Sequence, residues 1–547
     1  MKSRAALEGE RKQVTVLFAD LKGSMELLAD RDPEEARKLL HPVLELMMEA
    51  VHHYEGTVNQ AAGDGIMALF GAPLAHEDHA VRACYAALRM QERAKRHAEA
   101  IFHTHGVNLQ VRVGLNSGEV VAGTVGSDLR MDYTAVGRTT HLAARMEQLA
   151  NPGSILVTPS TLELADGFVT VKPLGPVPIK GLAEPLEVHE VTGVGAVRTR
   201  FQSVARRTLT PFVGRERELE QLRHAQQLAG SGHDQVVALV AEAGVGKSRL
   251  VYELTHSMVL DEWLVMECAA VSYGKAMSYL PVANLLKGYF EITDQDSLQT
   301  ISDKVKTKLL ALDGSLAPTL PALLALLDAP VNDPAWQALD PAQRRRRMLD
   351  GVRYLLLREA RQRPLLLIFE DLHWIDNETQ VVLDSLVESL ASARVLLLAT
   401  YRPEYEHGWA GKTYYSQLRL DALAGESGSQ LLDALLGDDS TLASLKQLLV
   451  NQGNPFFLEE TVRTLVETKV LEGSTGSYRL TRPIEAIQVP ATVQVTLASR
   501  IDRLSLEDKH LLQMASVIGR SAPVSLLRAV ADLPVDVVRD GLRRLQA

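Results

Sequence analysis

The sequence is poor in cysteine and in long apolar stretches, and each shortage argues against a class of protein. Of 547 residues only two are cysteine, Cys84 and Cys268, and they form no Cys-x-x-Cys pair. Neither a disulfide framework nor a thiolate zinc site is therefore expected. The first residues lack the apolar stretch of a secretory signal, and no apolar run approaches the ~20 residues needed to cross a bilayer. These absences predict a cytoplasmic protein without a membrane partner.

An excess of basic residues is also missing, which argues against nucleic acid as a partner. The net charge is -10, and the dense basic cluster at 344–347 is typical of a solvent-exposed helix face. Apolar residues make up 46% of the chain and charged residues 23%, the ordinary balance of folded soluble chains. The chain is too long for one hydrophobic core, so several domains are expected.

The apolar patterns divide the chain into a front α+β domain and a rear α/β part. In the front domain, helices are expected at about 33–54, 77–100 and 139–149, and separate strands at 109–116 and 119–122. Continuous apolar runs farther along predict parallel strands covered on both faces. The predicted segments are an extension at 1–10, the front domain at 11–191, a linker at 192–208, a P-loop domain at 209–410, a helical lid at 411–485 and a helix-rich end at 486–547.

A phosphate-binding loop follows the apolar strand predicted at 235–240. Its members are Gly244, Val245, Gly246, Lys247 and Ser248. Small residues let successive backbone amides point at one anion, while the lysine completes the cradle and the hydroxyl holds magnesium. Ala241 replaces the first glycine of the usual pattern, which removes some conformational freedom at the loop entry. Since a strand and a helix flank the loop, the sequence predicts an ATP site here.

Two later apolar runs end in residues suited to the same site. The run at 365–369 ends at Glu370 and Asp371, and the run at 395–399 is followed by Arg402. One carboxylate is expected to complete a magnesium shell and the other to orient a water, and the sequence leaves open which does which. Arg402 is expected near the γ-phosphate.

These motifs resemble those of the signal-transduction NTPases with numerous domains (STAND), including the regulators related to the maltose activator. The matching segments are 213–216 (VGRE), 241–248, 370–374 (EDLHW), 400–403 (TYRP) and 453–459 (GNPFFLE). The resemblance covers about residue 211 to the end. It implies that Val213 and Pro455 line the adenine pocket, that Arg402 senses the γ-phosphate, and that a winged-helix element begins at Thr492. It also implies slow hydrolysis that switches a conformation, which suits a protein partner.

Two carboxylates of the front domain follow strand-like or turn-like segments. Asp20 ends an apolar run, and Asp64 lies in a Gly-Asp-Gly turn. Taken alone, each fits a solvated cap, or the pair could hold two divalent ions across a triphosphate. The residues after Asp20, including Gly23 and Ser24, offer backbone amides that can cradle phosphate.

The segments around these acids resemble the class III nucleotide cyclases. The matches are 18–25 (FADLKGSM), 63–71 (GDGIMALFG), 113–123 (VGLNSGEVVAG, read as a central hairpin) and 132–147 (DYTAVGRTTHLAARME), within 11–191. The resemblance implies a ferredoxin-like α+β domain that converts ATP to cyclic AMP and pyrophosphate. It implies Mg²⁺ or Mn²⁺ bound by Asp20, Asp64 and Leu21. Because family members take base-reading residues from a second subunit, a head-to-tail homodimer is also implied.

Carried over by position, the resemblance assigns the remaining contacts. Gly23, Ser24, Gln60 and Thr134 are the expected substrate contacts, and Arg145 takes the place of the phosphate-binding arginine. Two positions depart from the family: Gln60 replaces an adenine-reading lysine, and His141 replaces an asparagine. A glutamine amide both donates and accepts hydrogen bonds, so Gln60 suits adenine or guanine.

Two functions fit this combination of domains. The first is an adenylate cyclase regulated by an ATP-binding STAND module, a layout similar to that of the animal soluble adenylyl cyclases with one cyclase domain in place of two. The alternative is a catalytically weak cyclase-like dimerisation domain in an ATP-switched scaffold or transcriptional regulator. Gln60, His141 and Ala241 favour the alternative, and a cyclase assay separates the two.

Overall fold

In the computed structural model the chain divides into two compact units, Met1–Val197 with Val489–Ala547, and Arg198–Gln488. The structure describes residues 10–22, 33–62, 64–105, 109–125, 132–180, 182, 184–195, 201, 209–256, 262–293, 296–390, 393–423, 425–450, 453–481, 497, 501, 504–518, 524–531 and 535–546. Below, the front domain comprises residues 10–195, the rear domain residues 209–481, and the C-terminal helices residues 504–546.

The front domain is a twisted sheet of eight described strands with helices packed on it. The strands are β1 (Glu10–Lys22), β2 (Thr57–Ala62), β3 (Gly65–Phe70), β4 (Gln110–Val125), β5 (Asp132–Val136), β6 (Ile155–Val157), β7 (Val169–Val177) and β8 (Leu186–Val194). Their order is β2-β3-β1-β4-β6-β8-β7, and β5 pairs with β4. The helices are α1 (Pro33–His53), α2 (His79–His105), α3 (Arg138–Leu149) and α4 (Pro159–Ala165).

The long strand β4 corrects one expectation. Two strands with a break near Ser117 were predicted, but β4 runs unbroken, and Ser117 and Gly118 pair with Thr15 and Val14 of β1. The glycine serves close packing instead of a turn, since a Cβ on Gly118 would lie 2.8 Å from the Thr139 hydroxyl oxygen. A glycine within an apolar pattern therefore marked a helix contact.

Helix α3 lies directly on β4. A Cβ on Gly114 would lie 2.0 Å from the backbone nitrogen of Glu147 and 2.5 Å from the carbonyl oxygen of Ala143, so only glycine permits this approach. At the other end of the contact, the Thr139 hydroxyl donates to the Glu119 carbonyl at 2.8 Å. The position of α3 along β4 is thereby fixed at both ends.

The rear domain is built on five described parallel strands. They are β9 (Gln235–Val240), β10 (Leu264–Ala269), β11 (Leu365–Glu370), β12 (Val395–Tyr401) and β13 (Tyr415–Arg419), in the order β10-β11-β12-β9-β13. Every residue of β11 and β12 is buried. This explains their continuous apolar sequences, because parallel strands are covered on both faces.

Helices cover this sheet and then form a separate helical lid. Those around the sheet are α5 (Glu216–Gly230), α6 (Lys247–His256), α7 (Leu280–Tyr289), α8 (Leu298–Leu312), α9 (Leu320–Leu326), α10 (Pro334–Gln337), α11 (Pro341–Gln362) and α12 (Asn377–Ser389). The lid contains α13 (Glu426–Leu436), α14 (Ala443–Val450), α15 (Pro455–Glu467) and the short ribbon of β14 (Leu471–Glu472) and β15 (Arg479–Leu480). Its core is leucine-rich, with Leu432, Leu436 and Leu458 fully buried.

The C-terminal helices pack around their own small apolar cluster. They are α16 (Leu506–Ile518), α17 (Val524–Ala531) and α18 (Val535–Gln546), and they meet at Leu511, Leu527 and Val538. The winged-helix interpretation stays a prediction, and its expected start at Thr492 lies outside the described residues. None of the helices described is both long and apolar enough to span a membrane.

Candidate active sites

The two acids predicted to bind metal in the front domain lie at one edge of the sheet. Asp20 of β1 pairs in register with Gly65 of β3, directly beside Asp64. The Leu21 amide donates to the Asp64 carbonyl at 3.3 Å. A Cβ on Gly65 would lie 3.2 Å from a carboxylate oxygen of Asp20, so the glycine leaves this acid uncrowded. The structure thus brings Asp20 and Asp64 together, and their metal-binding role stays a prediction.

The donors at this edge suit a hard divalent ion. Carboxylate and carbonyl oxygens, here of Asp20, Asp64 and Leu21, are the ligands that Mg²⁺ and Mn²⁺ prefer. Among the described residues, no group of three or more His, Cys, Asp or Glu side chains is arranged to hold a metal.

A cation that sequence reasoning missed lies against Asp20. Arg112 of β4 is the register partner of Asp20, and its Nη2 lies 2.5 Å from Asp20 Oδ2 and 2.8 Å from Glu147 Oε1. Glu147, on α3, is buried. Burial raises the pKa of Glu147, Arg112 lowers it, and the negative charges of Asp20 and Asp64 raise it again. The Arg112 guanidinium is thus shared by two carboxylates.

The other predicted front-domain residues are more dispersed. Gln60 lies exposed in β2, and Thr134 lies in β5, paired with Gly123 of β4. Gly23 and Ser24 lie outside the described residues.

His141 and Arg145 are exposed on α3, one helical turn apart. The Arg145 guanidinium donates to Gln148 of the same helix at 2.6 Å. On the same helix Glu147 is buried against Arg112. Helix α3 therefore contributes a buried acid to its own domain and presents two candidate catalytic groups at the surface.

Two glycines of the phosphate-binding loop in the rear domain have backbone conformations that favour glycine. Gly244 and Gly246 have φ of +80° and +107°, in the left-handed region that favours glycine. Ala241 is not among the described residues with positive φ, so it replaces a glycine without strain. The Lys247 ammonium donates to the carbonyls of Ala241 at 2.8 Å and Glu242 at 3.1 Å. Burial lowers the pKa of Lys247.

The acids at the end of β11 lie beside this loop. The Ser248 hydroxyl donates to Glu370, which is only 3% exposed. Burial and the charge of Asp371 raise the pKa of Glu370 to about 8, against the lowering effect of the Ser248 hydrogen bond. Asp371 has φ of +58°, and its amide donates to the Thr400 hydroxyl at 3.0 Å. Asp371, one of the two acids, thus has a strained backbone conformation and is held by a hydrogen bond to the next strand, β12.

Arg402 is buried at the end of β12 and lies over an aromatic ring. Its guanidinium carbon is 5.6 Å from the ring centroid of Trp374, and Lys275 Nζ is 5.5 Å from the same centroid. The charge of Arg402 helps to lower the pKa of Lys247, so the two cations are close enough to interact electrostatically. Sequence reasoning included Trp374 in a motif but missed its contact with Arg402.

The lid closes directly over the phosphate loop. The Asn454 side chain donates to the Ala243 carbonyl at 2.8 Å, and the Phe456 amide donates to the Gly244 carbonyl at 3.3 Å. Pro455 lies between these two contacts, at the start of α15. Val213 packs against the lid core. The adenine-pocket role of Val213 and Pro455 stays a prediction.

Thr210 is held from two sides. Its hydroxyl donates to Glu459 of α15 at 2.7 Å, and its carbonyl accepts a hydrogen bond from Arg249 of α6 at 2.7 Å. Because α6 follows the phosphate loop and α15 belongs to the lid, Thr210 joins the two.

Two family models match the chain. The adenylate and guanylate cyclase catalytic domain matches residues 8–193, and the AAA ATPase domain matches residues 211–398. The first range includes Asp20, Asp64 and Arg145. The second includes the phosphate loop and Glu370 and ends before Arg402.

Two relatives from Rhizobium meliloti (strain 1021) align with different parts of the chain. An uncharacterized protein is 27% identical over 548 residues, which is 95% of this chain and 50% of that protein. Adenylate cyclase 1 is 32% identical over 186 residues, which is 34% of this chain and 28% of that protein. The chain thus spans half or less of the length of these curated relatives.

Solved cyclase structures align with the front domain. The adenylyl cyclase CyaB from P. aeruginosa is 30% identical, with 35% of this chain and 98% of that chain covered and a TM-score of 0.33. The guanylyl cyclase Cya2 is 33% identical, with 35% and 96% covered and a TM-score of 0.33.

Proposed function

We propose that this chain is an adenylate cyclase in signal transduction. The premise is that residues 8–193 are a class III nucleotide cyclase domain and that an AAA ATPase domain follows at 211–398. The supporting observation is the juxtaposition of Asp20 and Asp64 at one edge of the front sheet. The rear domain would act as an ATP-binding switch of the STAND type.

The reaction joins the ribose 3′-oxygen to the α-phosphorus of ATP and breaks the bond from that phosphorus to the bridging oxygen of the β-phosphate. Pyrophosphate leaves, and the 3′-hydroxyl proton passes to water or a nearby base. Divalent ions held by Asp20, Asp64 and the Leu21 carbonyl would make the 3′-hydroxyl more acidic and neutralise the departing pyrophosphate. Gly23 and Ser24 would bind phosphate oxygens through their amides.

Completion of the site by a second copy is supported by α3. His141 and Arg145 are exposed in the single chain, and the Arg145 side chain donates to its helix neighbour Gln148. In a head-to-tail homodimer, Arg145 of one subunit would stabilise the phosphates bound by the other. Gln60 and Thr134 would read the base.

Adenine is proposed as the base, and the chemistry of Gln60 is compatible with it. The Gln60 amide offers both a donor for adenine N1 and an acceptor for the adenine amino group. Guanine presents the reverse pattern, which a flipped amide also satisfies. Because Gln60 can pair with either base, the preference for ATP rests on the similarity to adenylate cyclase 1, and we expect a smaller margin of ATP over GTP than a lysine would give.

A cyclase assay tests this proposal directly. Purified full chain is incubated with Mn²⁺ and equal ATP and GTP, and cyclic AMP and cyclic GMP are measured, with Asp20→Ala and Asp64→Ala as matched controls. We expect cyclic AMP to predominate in the wild type and both products to vanish in the variants. Product no higher than in the two variants would contradict an enzymatic role and leave the cyclase-like dimerisation scaffold.

The rear domain is proposed to bind ATP and hydrolyse it slowly. Lys247 and Ser248 would hold the phosphates and Mg²⁺, while Glu370 or Asp371 would orient a water. We expect a Lys247→Ala variant to lose the ATP that the rear domain retains. The affinity of the cyclase domain for Mn²⁺ should be unchanged. Undiminished ATP retention would contradict the assignment of this loop.

A further inference from the structure

Asn116 is a polar side chain buried where helix α3 packs on strand β4. Alternate residues of a strand share one face, so Asn116 lies between Gly114 and Gly118 on the face that contacts α3. The two glycines permit a close approach of the helix, but they carry no group that selects its position. Asn116 is 2% exposed and supplies a directional polar group between them.

The carboxamide of Asn116 forms hydrogen bonds at both of its ends. Its nitrogen donates to the carbonyl oxygen of Thr139, in the first turn of α3, at 2.9 Å. Its oxygen accepts from the hydroxyls of Thr158 at 2.6 Å and Ser160 at 3.1 Å, at the start of α4. A carbonyl oxygen can only accept, so the nitrogen must face Thr139. One side chain of β4 thus joins the starts of two helices.

A wider network of buried hydroxyls supports the accepting end of Asn116. The Thr158 hydroxyl lies 3.4 Å from that of Thr161, which accepts from Ser117 at 3.0 Å. The Ser117 hydroxyl lies 2.7 Å from that of Thr15 on β1. All four of these hydroxyl residues are buried. Because a buried polar group that loses its partner is costly, this network keeps the Asn116 carboxamide in one orientation.

The helix held by Asn116 carries the candidate catalytic groups. Thr139 lies in the first turn of α3, and His141 and Arg145 follow on the same helix, where both are exposed. Hydrogen bonds link each turn of a helix to the next, so a displacement of the first turn also displaces these two side chains. A misplacement of ~1 Å can lower a catalytic rate about 10²-fold.

We propose that Asn116 is a positioning residue of the cyclase site, which holds the first turn of α3 so that His141 and Arg145 reach the nucleotide bound by a second copy. This inference rests on the proposed function and its two-chain site. Asn116 then serves the nucleotide of the partner, whereas Asp20 and Asp64 hold the ions of their own chain. Loss of Asn116 should disable only what α3 contributes to the other subunit.

Steady-state kinetics of the full chain measure the loss. Asn116→Ala should lower kcat for cyclic AMP formation on the order of 10²-fold and leave the KM for Mn²⁺-bound ATP nearly unchanged, because the ions are bound elsewhere. Ser160→Ala is the matched control, since it removes one bond to the same carboxamide and keeps the donation to Thr139. It should retain most of the activity, and an equal loss in both variants would contradict a role through Thr139.

Subunit mixing separates positioning from general support of the fold. A mixed dimer of Asn116→Ala and Asp64→Asn chains has one site with intact metal acids from the first chain and an intact α3 from the second. About a quarter of wild-type activity should therefore return. Asn116→Ala mixed with Arg145→Ala should show no recovery, because neither chain then supplies a complete α3.

Recovery with Arg145→Ala and not with Asp64→Asn would overturn the proposal, because Asn116 would then act on the metal acids of its own chain. Asn116→Ser, which keeps a polar group in the network, repeats both mixtures in case Asn116→Ala does not fold. No recovery of either variant with Asp64→Asn would also overturn the proposal. If Asp64→Asn and Arg145→Ala chains do not complement each other, the proposed two-chain site is wrong, and this inference fails with it.

Discussion

The acids of the two sites are neutralised in different ways. Asp20 in the front domain is 30% exposed in its side chain and pairs with the cation Arg112. Glu370 in the rear domain is 3% exposed, and its hydrogen-bond partner is the neutral Ser248 hydroxyl. The first acid has a cation as its partner, whereas burial raises the pKa of the second to about 8.

The sites also differ in how many of their candidate groups one chain gathers. In the rear domain Lys247, Ser248, Glu370 and Arg402 all lie around one edge of the sheet. In the front domain, Arg145 is exposed on α3. A candidate catalytic group left at the surface suggests a site shared between copies, and a buried constellation suggests a self-sufficient one.

The largest effect is expected when two inactive front-site variants are mixed and cyclic AMP formation is recovered. This experiment could contradict the contrast between a shared and a self-sufficient site. Asp64→Asn and Arg145→Ala chains are each expected to be inactive as cyclases. Mixed in equal amounts, they should recover about a quarter of wild-type cyclic AMP formation, because half of the dimers are mixed and each has one intact site. The measurement is cyclic AMP production after co-refolding or co-expression.

The matched control lies in the rear domain. A mixture of Lys247→Ala and Glu370→Gln chains should remain without ATP hydrolysis, because one chain supplies every group. No recovery in the front-site mixture, or recovery in the rear-site mixture, would contradict the proposed division between shared and self-sufficient sites.

A smaller effect is expected at the aromatic support of Arg402. Trp374→Leu removes the ring beneath the guanidinium and should lower the ratio of ATP to ADP affinity about fivefold, in line with a partly desolvated cation–π contact. Trp374→Phe keeps a ring and should lose less. Equal weakening of ATP and ADP binding in a calorimetric titration would show that Trp374 supports the fold without positioning Arg402.

Glu370 should make the stability of the ligand-free rear domain depend on pH. Because the pKa of Glu370 is raised to about 8 in the folded chain, Glu370 is protonated there at pH values between the ordinary glutamate pKa and about 8. In the unfolded chain it has lost its proton over the same pH range. Stability therefore falls as pH rises through this window. Glu370→Gln should raise the melting temperature by a few degrees at pH 8.5 and little at pH 5, measured by calorimetry. The exposed Glu404→Gln is the control, and a pH-independent gain would contradict the explanation.

The smallest effect is expected where the lid meets the phosphate loop. Asn454→Ala removes one hydrogen bond to the Ala243 carbonyl and should weaken lid closure by about 1 kcal/mol. Faster hydrogen exchange at the start of α15 would report this loss. Arg463 lies on the same helix and forms ion pairs with Glu460 and Glu467, and Arg463→Ala should leave that exchange unchanged. Equal acceleration by both variants would indicate general fraying of the helix.

Much of the rear domain was predictable because its signals are local. The run at 365–369 is buried on both faces, as its uninterrupted apolar sequence predicts, and Gly244 and Gly246 adopt the positive φ that the loop motif requires. The left-handed Asp371 and its bond to Thr400 depend on which strand is adjacent, and no local pattern contains that information. The cyclase and ATPase domain matches confirm the predicted fold class.

The front domain shows where sequence reasoning fails. The acids Asp20 and Asp64 stand out by their motifs and are brought together. Arg112 lies 92 residues from Asp20 and becomes its neighbour only through the register of β1 and β4, so no spacing rule could find it. Gly118 resembled a turn residue but permits a helix to approach a strand. Both misses arise from tertiary contacts that composition does not encode.

Thr210, at the start of the rear domain, is hydrogen-bonded to both the lid and the phosphate-loop helix, so its position depends on how these two are arranged. Arg249 on the phosphate-loop helix and Glu459 on the lid both form hydrogen bonds with this residue. A hinge motion between loop and lid must therefore break one of these hydrogen bonds or displace Thr210. The covalent chain runs from Thr210 back toward the front domain. A rearrangement of the lid relative to the phosphate loop would therefore reach this part of the polypeptide at Thr210.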